Sequence, residues 1–262
     1  MDYASPIANE LVFAMAVERL LDVEVPERAV WIRMLMAELS RMASHLLFQA
    51  TNGMDIGAVS MMIFGWRERE EVLRVLEMIT GLRMNHNFIR VGGLAADLPD
   101  GWQDAVLHVC ELVEAGVAEY DGILSENPIW QERLIGVGVL TTQQCLDLSI
   151  TGPLLRSTGY PWDLRKTQPY NVYAKMDFDV PVGTNGDTYD RYVVRVEEMR
   201  QSCRIVEQCV KWLKANPGPV ITDNHKVAPP ARVDMKSNME ELIHHFKLFT
   251  EGFHVPEGEA YA

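Results

Sequence analysis

The chain has 262 residues, 48% apolar and 23% charged, an ordinary globular mixture that excludes wholesale disorder. Its 24 basic residues against 37 acidic ones leave a formal charge of −13, so phosphate backbones and anionic headgroups repel it; no nucleic acid is expected as a partner. The longest charge-poor stretch, Met42–Trp66, is interrupted by His45, Gln49, Asn52, Asp55 and glycines, and does not supply the roughly 20 apolar residues of a spanning helix.

Ser5-Pro6 reads as a cap and first-turn proline for a helix to about Leu21. Pro26 opens a second helix with Ile32, Leu35, Met36, Leu39, Met42, Ala43, Leu46 and Leu47 at three-and-four spacing, and with Arg33, Glu38 and Arg41 on its other face. A break at Asn52-Gly53 precedes a third helix, about Gly57–Thr80, closed by Gly81. Its polar side carries Arg67, Glu68, Glu70, Glu71 and Arg74, a solvated charge run. A turn at Leu98–Gly101 leads into a fourth helix ending near Leu124.

From about 127 to 182, prolines and glycines recur among Trp130, Trp162, Tyr170, Tyr173 and Phe178, which predicts an ordered, irregular segment packed on helices. Asp187 caps a long helix to about Leu213, its buried stripe formed by Tyr192, Val193, Val196, Met199, Cys203, Val206, Val210 and Leu213. A last helix covers about Asn238–Thr250. The pattern is mainly α: one long-helix bundle over residues 1–262 with no second domain. Both ends read as cut, Met1 as an internal methionine and Glu259–Ala262 as the start of a strand. The opening residues do not read as a secretion signal, so scattered Cys110, Cys145, Cys203 and Cys209 are expected as buried thiols, with neither disulfide nor metal centre.

Asp55 is the one formally charged residue between Met42 and Trp66. A buried carboxylate needs a partner. Either it caps the helix that follows, worth about 1 kcal/mol, or it orients a histidine or faces a ligand cavity. Tyr3 can donate a hydrogen bond to a carbonyl acceptor, although an N-terminal tyrosine commonly only packs. The seven histidines have no metal-ligand spacing, and Gly136-Val137-Gly138 lacks a dinucleotide fingerprint.

Several segments resemble the 49-kDa-type subunit (the D subunit) of the proton-translocating NADH:quinone oxidoreductase, respiratory complex I. They are Asp2-Tyr3, Val25–Ala29, Met36–Arg41, Met54–Ala58, Phe64–Glu70, Gly92–Pro99, Glu126–Trp130, Gly136–Leu140, Thr151–Pro153, Trp162–Lys166, Phe178–Pro181, His245–Lys247 and Thr250–Phe253, in order along the chain. The resemblance implies a helical core related to the nickel–iron hydrogenase large subunit, without the family's N-terminal β-rich part and C-terminal segment. It also implies a quinone pocket shared with the subunit that carries the terminal iron–sulfur cluster, with FMN and NADH on other partners. By the resemblance, Tyr3 is the headgroup tyrosine and Asp55 the acid that holds a histidine from an upstream loop. Met62 and Trp66, one helical turn apart, fall where apolar pocket walls are expected, although core packing gives the same pattern. The implied partners are subunits B and C and the membrane arm, and the implied location is the cytoplasmic side of the cell membrane, held peripherally. Near Arg83–His86, some relatives place histidine where this chain has Asn85. Two other readings are a non-catalytic assembly paralogue and a hydrogenase-type large subunit, whose nickel-binding cysteine pairs have no counterpart here.

Overall fold

A computed structural model describes residues 2–262; Met1, read above as an internal methionine, lies outside them. Five long helices make the body: α1 (Pro6–Leu21), α2 (Glu27–Ile56), α3 (Met61–Thr80), α4 (Trp102–Tyr120) and α9 (Thr188–Ala215). α2 is central, packed by α1, α3 and α9, while α4 closes the far side against α3 and α9. The predicted apolar stripe of α2 is buried from Ile32 through Leu46, and meets Val72, Leu76, Val113, Met199, Cys203 and Val206 in one core. Burial of these faces, at about 25 cal/mol per Å² of apolar surface, drives the packing. The irregular segment holds four short helices, α5 (Pro128–Leu134), α6 (Thr142–Asp147), α7 (Pro153–Ser157) and α8 (Leu164–Thr167), and lies against α9 and α2. Two short strands not foreseen, β1 (Ile89–Arg90) and β2 (Gly93–Leu94), pair antiparallel; Gly93 also bridges Ile221, where a Cβ would collide with the Val220 carbonyl oxygen. Two helices near the C-terminus, α10 (Asp234–Ser237) and α11 (Met239–Thr250), complete the order, and Glu259–Ala262 is not a strand.

The structure corrects several local expectations. α2 does not break at Asn52-Gly53 but continues to Ile56, where Gly57 in the left-handed region ends it. Gly53 serves packing instead, because a Cβ there would stand 2.7 Å from Met61 Cβ. α3 therefore begins at Met61 rather than Gly57. Asp55 is not an N-cap; it sits in the last turn of α2, where the helix dipole opposes a carboxylate. Ser5 precedes α1 but makes no capping bond; its Oγ lies 3.3 Å from Ser40 Oγ. In the stripe of α9, Val194 is buried and Val193 is exposed.

Coverage of α2 is uneven, and this matters for the site. From Trp31 to Ser40 every residue except Ala37 is buried. Beyond that, Ser44, His45, Leu47, Phe48, Thr51 and Asn52 are half-buried, and Met54 and Asp55 are exposed. α1 starts beside Ser40 and runs the other way, so that its Glu18 meets Arg33 at 2.6 Å. It covers only the first half of α2.

Gly65 lets α2 and α3 approach, since an added Cβ would lie 2.8 Å from the Leu46 carbonyl oxygen and 3.0 Å from Ala50 Cβ. Gly65→Ala should cost about 1–3 kcal/mol through overpacking, whereas Gly122→Ala, with nothing within 4 Å, should stay within about 1 kcal/mol of wild type. Urea unfolding midpoints of the two variants check this.

Candidate functional site

Tyr3 is 65% exposed and lines a cleft of about 560 Å³ between α1, the turn of residues 85–91 and Val227, Pro229 and Phe253. Asp55 does not line it. Ser40, beside the start of α1, and Asp55 are 15 residues apart on one helix, about 22 Å at 1.5 Å per residue. Asp55 stands exposed at the C-terminal end of α2, and Tyr3 lies two residues before Ser5, whose Oγ meets Ser40 of the same helix. Trp66 and Met62, both half-buried, lie along α3. The Arg69 guanidinium stands 5.2 Å from the Trp66 ring, and this residue is 5% exposed with no carboxylate in hydrogen-bond contact. Burial, then Arg83, pulls its pKa down, while Glu70 and then Tyr3 act to raise it. Asp55 itself has no hydrogen-bonded partner among the described residues; beside it, Arg133 donates to the Ile56 carbonyl at the helix end.

A carboxylate that orients a histidine does exist, at another place. His45 Nε2 lies 2.7 Å from Glu198 Oε2, and Glu198 Oε1 accepts from Arg156 Nε and Nη2 at 2.9 and 2.5 Å. α2, α9 and α7 supply one member each. Burial would raise the Glu198 pKa, but the His45 hydrogen bond and the charges of His45, Arg156 and Arg41 hold it at about 2. Burial lowers the His45 pKa, with Arg41 and Arg195 acting in the same direction and Glu198 against them. Because Glu198 is held as a carboxylate, the ring gives its Nε2–H to it, and Nδ1 is the nitrogen that can gain or lose a proton.

Glu38, assigned by periodicity to the outer face, is fully buried. It accepts from Arg165 Nη1 at 3.1 Å, from Ser202 Oγ at 2.7 Å and from the Tyr173 hydroxyl, with Arg41 Nε 3.3 Å away. Burial would raise its pKa; Arg41 and Arg165, then the Tyr173 and Ser202 hydrogen bonds, outweigh this and hold it at about 2. Arg33 is likewise buried against Glu18, and Glu68 of the supposed solvated run accepts from the Tyr120 hydroxyl at 2.6 Å. A second cleft, of about 690 Å³, opens between α1, α2 and residues 164–170, lined by Asp2, Ser5, Arg41, Ser44, His45 and Tyr170 among others. Next to the first cleft, His86 is 3% exposed with both ring nitrogens unpartnered, and burial lowers its pKa. All four cysteines are buried and free, and among the described residues no cluster of His, Cys, Asp and Glu could hold a metal.

Comparison with known proteins gives the family. Residues 55–262 match the family described as respiratory-chain NADH dehydrogenase, 49 kDa subunit. The whole chain aligns with the D subunits of the NADH-quinone oxidoreductases of Leptothrix cholodnii and Chromobacterium violaceum at 52% identity, covering 69% of each. The same subunit of Methylibium petroleiphilum is 50% identical over the same shares. The chain belongs to this family. As a member of the 49 kDa family it is a subunit of an oxidoreductase complex, respiratory complex I, with other subunits of that complex as partners. The hydrogenase reading is not favoured. No helix among the described residues is long and apolar enough to cross a membrane, which fits a peripheral subunit.

Sequence reasoning missed the His45–Glu198–Arg156 and Glu38–Arg165–Tyr173 assemblies. Glu198 lies 153 residues from His45 and 42 from Arg156, and Glu38 lies 127 from Arg165 and 135 from Tyr173, and no local pattern announces them. The one available signal is that Glu38 sits among apolar residues, in Leu35-Met36-Ala37-Glu38-Leu39; the surroundings of Glu198, with Arg195, Glu197, Arg200 and Gln201, carry none.

Both acids are held below the ordinary carboxylate value of 4.5, so their contribution to stability is complete above that value and is lost as pH falls from 4.5 towards 2. The urea midpoint should therefore drop between pH 4.5 and 3. Glu198→Gln should lower the midpoint at pH 7 and make the acid-side drop shallower than in wild type.

Proposed function

We propose that this chain forms one wall of the quinone-reduction site of an NADH:quinone oxidoreductase, with the subunit carrying the terminal iron–sulfur cluster as the opposite wall. The observation that supports this reading is the half-covered α2. From Trp31 to Ser40 it is buried except at Ala37, and from Ser44 to Asp55 it carries a half-buried to exposed stripe, with the start of α1, just after Tyr3, near one end and Asp55 at the other. An exposed acid at a helix C-terminus is locally unfavourable, which accords with a partner supplied from outside these elements: the histidine that the family resemblance assigns to an upstream loop. Trp66 and Met62 provide apolar surface at the side of the same region.

In this reading, two electrons reach the ring from the partner's cluster, fed by NADH and FMN elsewhere in the assembly. The Tyr3 hydroxyl donates to one ring carbonyl, and the histidine held by Asp55 serves the other. Trp66 and Met62 exclude water beside the ring. Subunits B and C and the membrane arm are the proposed neighbours, with the chain on the cytoplasmic side of the membrane. Protons consumed at the ring are replaced from the surrounding protein, and that replacement couples reduction to translocation.

Tyr3→Phe keeps the ring and removes the donor. In the assembled oxidoreductase it should cut quinone reduction at least tenfold while leaving NADH oxidation by ferricyanide intact, and Asp55→Asn should do the same. Wild-type quinone turnover in both variants would refute the assignment.

A further inference from the structure

We propose that His45, held by Glu198 and Arg156, carries a proton to a quinone bound along the open half of α2. This rests on the quinone-site reading and adds a proton-carrying group to it. His45 stands five residues, about 7.5 Å, beyond Ser40 and ten residues, about 15 Å, short of Asp55, so it lies between the two ends of the uncovered stripe. It belongs to the wall of the cleft of about 690 Å³, which reaches Asp2, the neighbour of Tyr3. Its side chain is 12% exposed.

The arrangement around it has the form of an oriented acid–base group. The Glu198 carboxylate fixes the tautomer by taking the Nε2 hydrogen, and Arg156 fixes Glu198 from behind through two nitrogens. Among the described residues no protein group bonds Nδ1, and Nδ1 is not one of the fully buried unpartnered atoms, in contrast to both nitrogens of His86. A core histidine kept only for packing has no need of a buried Arg–Glu pair at one nitrogen and a cleft at the other. The charged and titratable groups that face the ring are Arg41 on its own helix, Glu198 and Arg195 from α9, and Arg156 from α7. Across the cleft are Asp2, Arg19 of α1 and Tyr170.

Nδ1 first takes a proton from cleft water, and Glu198 stabilises the imidazolium. Once the bound ring carries two added electrons, the Nδ1–H bond breaks and an O–H bond forms at the ring oxygen to which Tyr3 donates its hydrogen bond, while the Tyr3 hydroxyl keeps its own proton. The imidazole returns to its neutral tautomer, ready for the next proton. Loading falls as pH rises through the imidazole pKa.

The test uses the assembled NADH:quinone oxidoreductase with a short-chain quinone, and ferricyanide as the acceptor that reports assembly. His45→Gln should lower kcat at least tenfold with KM within twofold, at unchanged ferricyanide activity. Glu198→Gln should shift the alkaline fall of quinone reduction to lower pH, because the imidazolium loses its counter-charge. If His45→Gln keeps wild-type kcat and pH profile while Tyr3→Phe and Asp55→Asn lose turnover, the His45 proposal is overturned and the site reading stands. If all three variants turn over as wild type, the site reading itself fails. Should His45→Gln not assemble, an unshifted pH profile in Glu198→Gln overturns the proposal alone.

Discussion

A carboxylate with no exposure to water stays charged only where cations and hydrogen-bond donors replace its hydration. Glu38 imposes that condition at the middle of α2, and the chain meets it with Arg165, Tyr173, Arg41 and Ser202. Arg165 is also held by Asp163 at 2.7 Å. Glu198 repeats the arrangement from α9, engaging Arg156 and His45. These two acids decide how the irregular segment lies. Its apolar side chains could pack on several helix faces, but Arg156, Arg165 and Tyr173 can only sit where a buried negative charge awaits them. Removing one partner would leave an unpaired charge in the core, which is far more costly than losing a surface ion pair.

The same arrangement links architecture to function. With the irregular segment fixed on one side of α2 and α1 covering only its first half, the second half is left with an open stripe from Ser44 to Asp55. For the site we propose, a flat, apolar ring held between this chain and a partner calls for a rigid wall with a few placed polar groups rather than a closed pocket of its own. A helix of 30 residues supplies such a wall. Gly53 and Gly65 bring α3 close at the level of the stripe.

Periodicity alone gave the long helices, because three-and-four spacing of apolar residues reports a buried face directly. The Asp187 cap was legible for the same local reason, as its carboxylate accepts from the Asp190 backbone N–H three residues ahead. The end of α2 was misread because Asn-Gly is ambiguous. Gly53 is tolerated inside the helix for the sake of contact with Met61, which only the folded partner reveals. Tyr3 and Asp55 were singled out, one by family resemblance and one by its isolation among neutral residues. Neither route could tell that Tyr3 would line a cleft beside α1 while Asp55 stands exposed at the end of α2.

What the amino-acid order settled, then, is which stretches become helices, which faces are apolar, and to which family the chain is similar. Those are properties of neighbours within a few turns. Whether Arg33, Glu38, Glu68 and Glu198 point to water or to the core was decided by tertiary structure, since periodicity grades a position by its neighbours and cannot see a counter-charge arriving from 127 or 153 residues away. The pairing of His45 with Glu198 and the open half of α2 are consequences of that packing, for a helix face is exposed or covered only once its neighbours have taken their places.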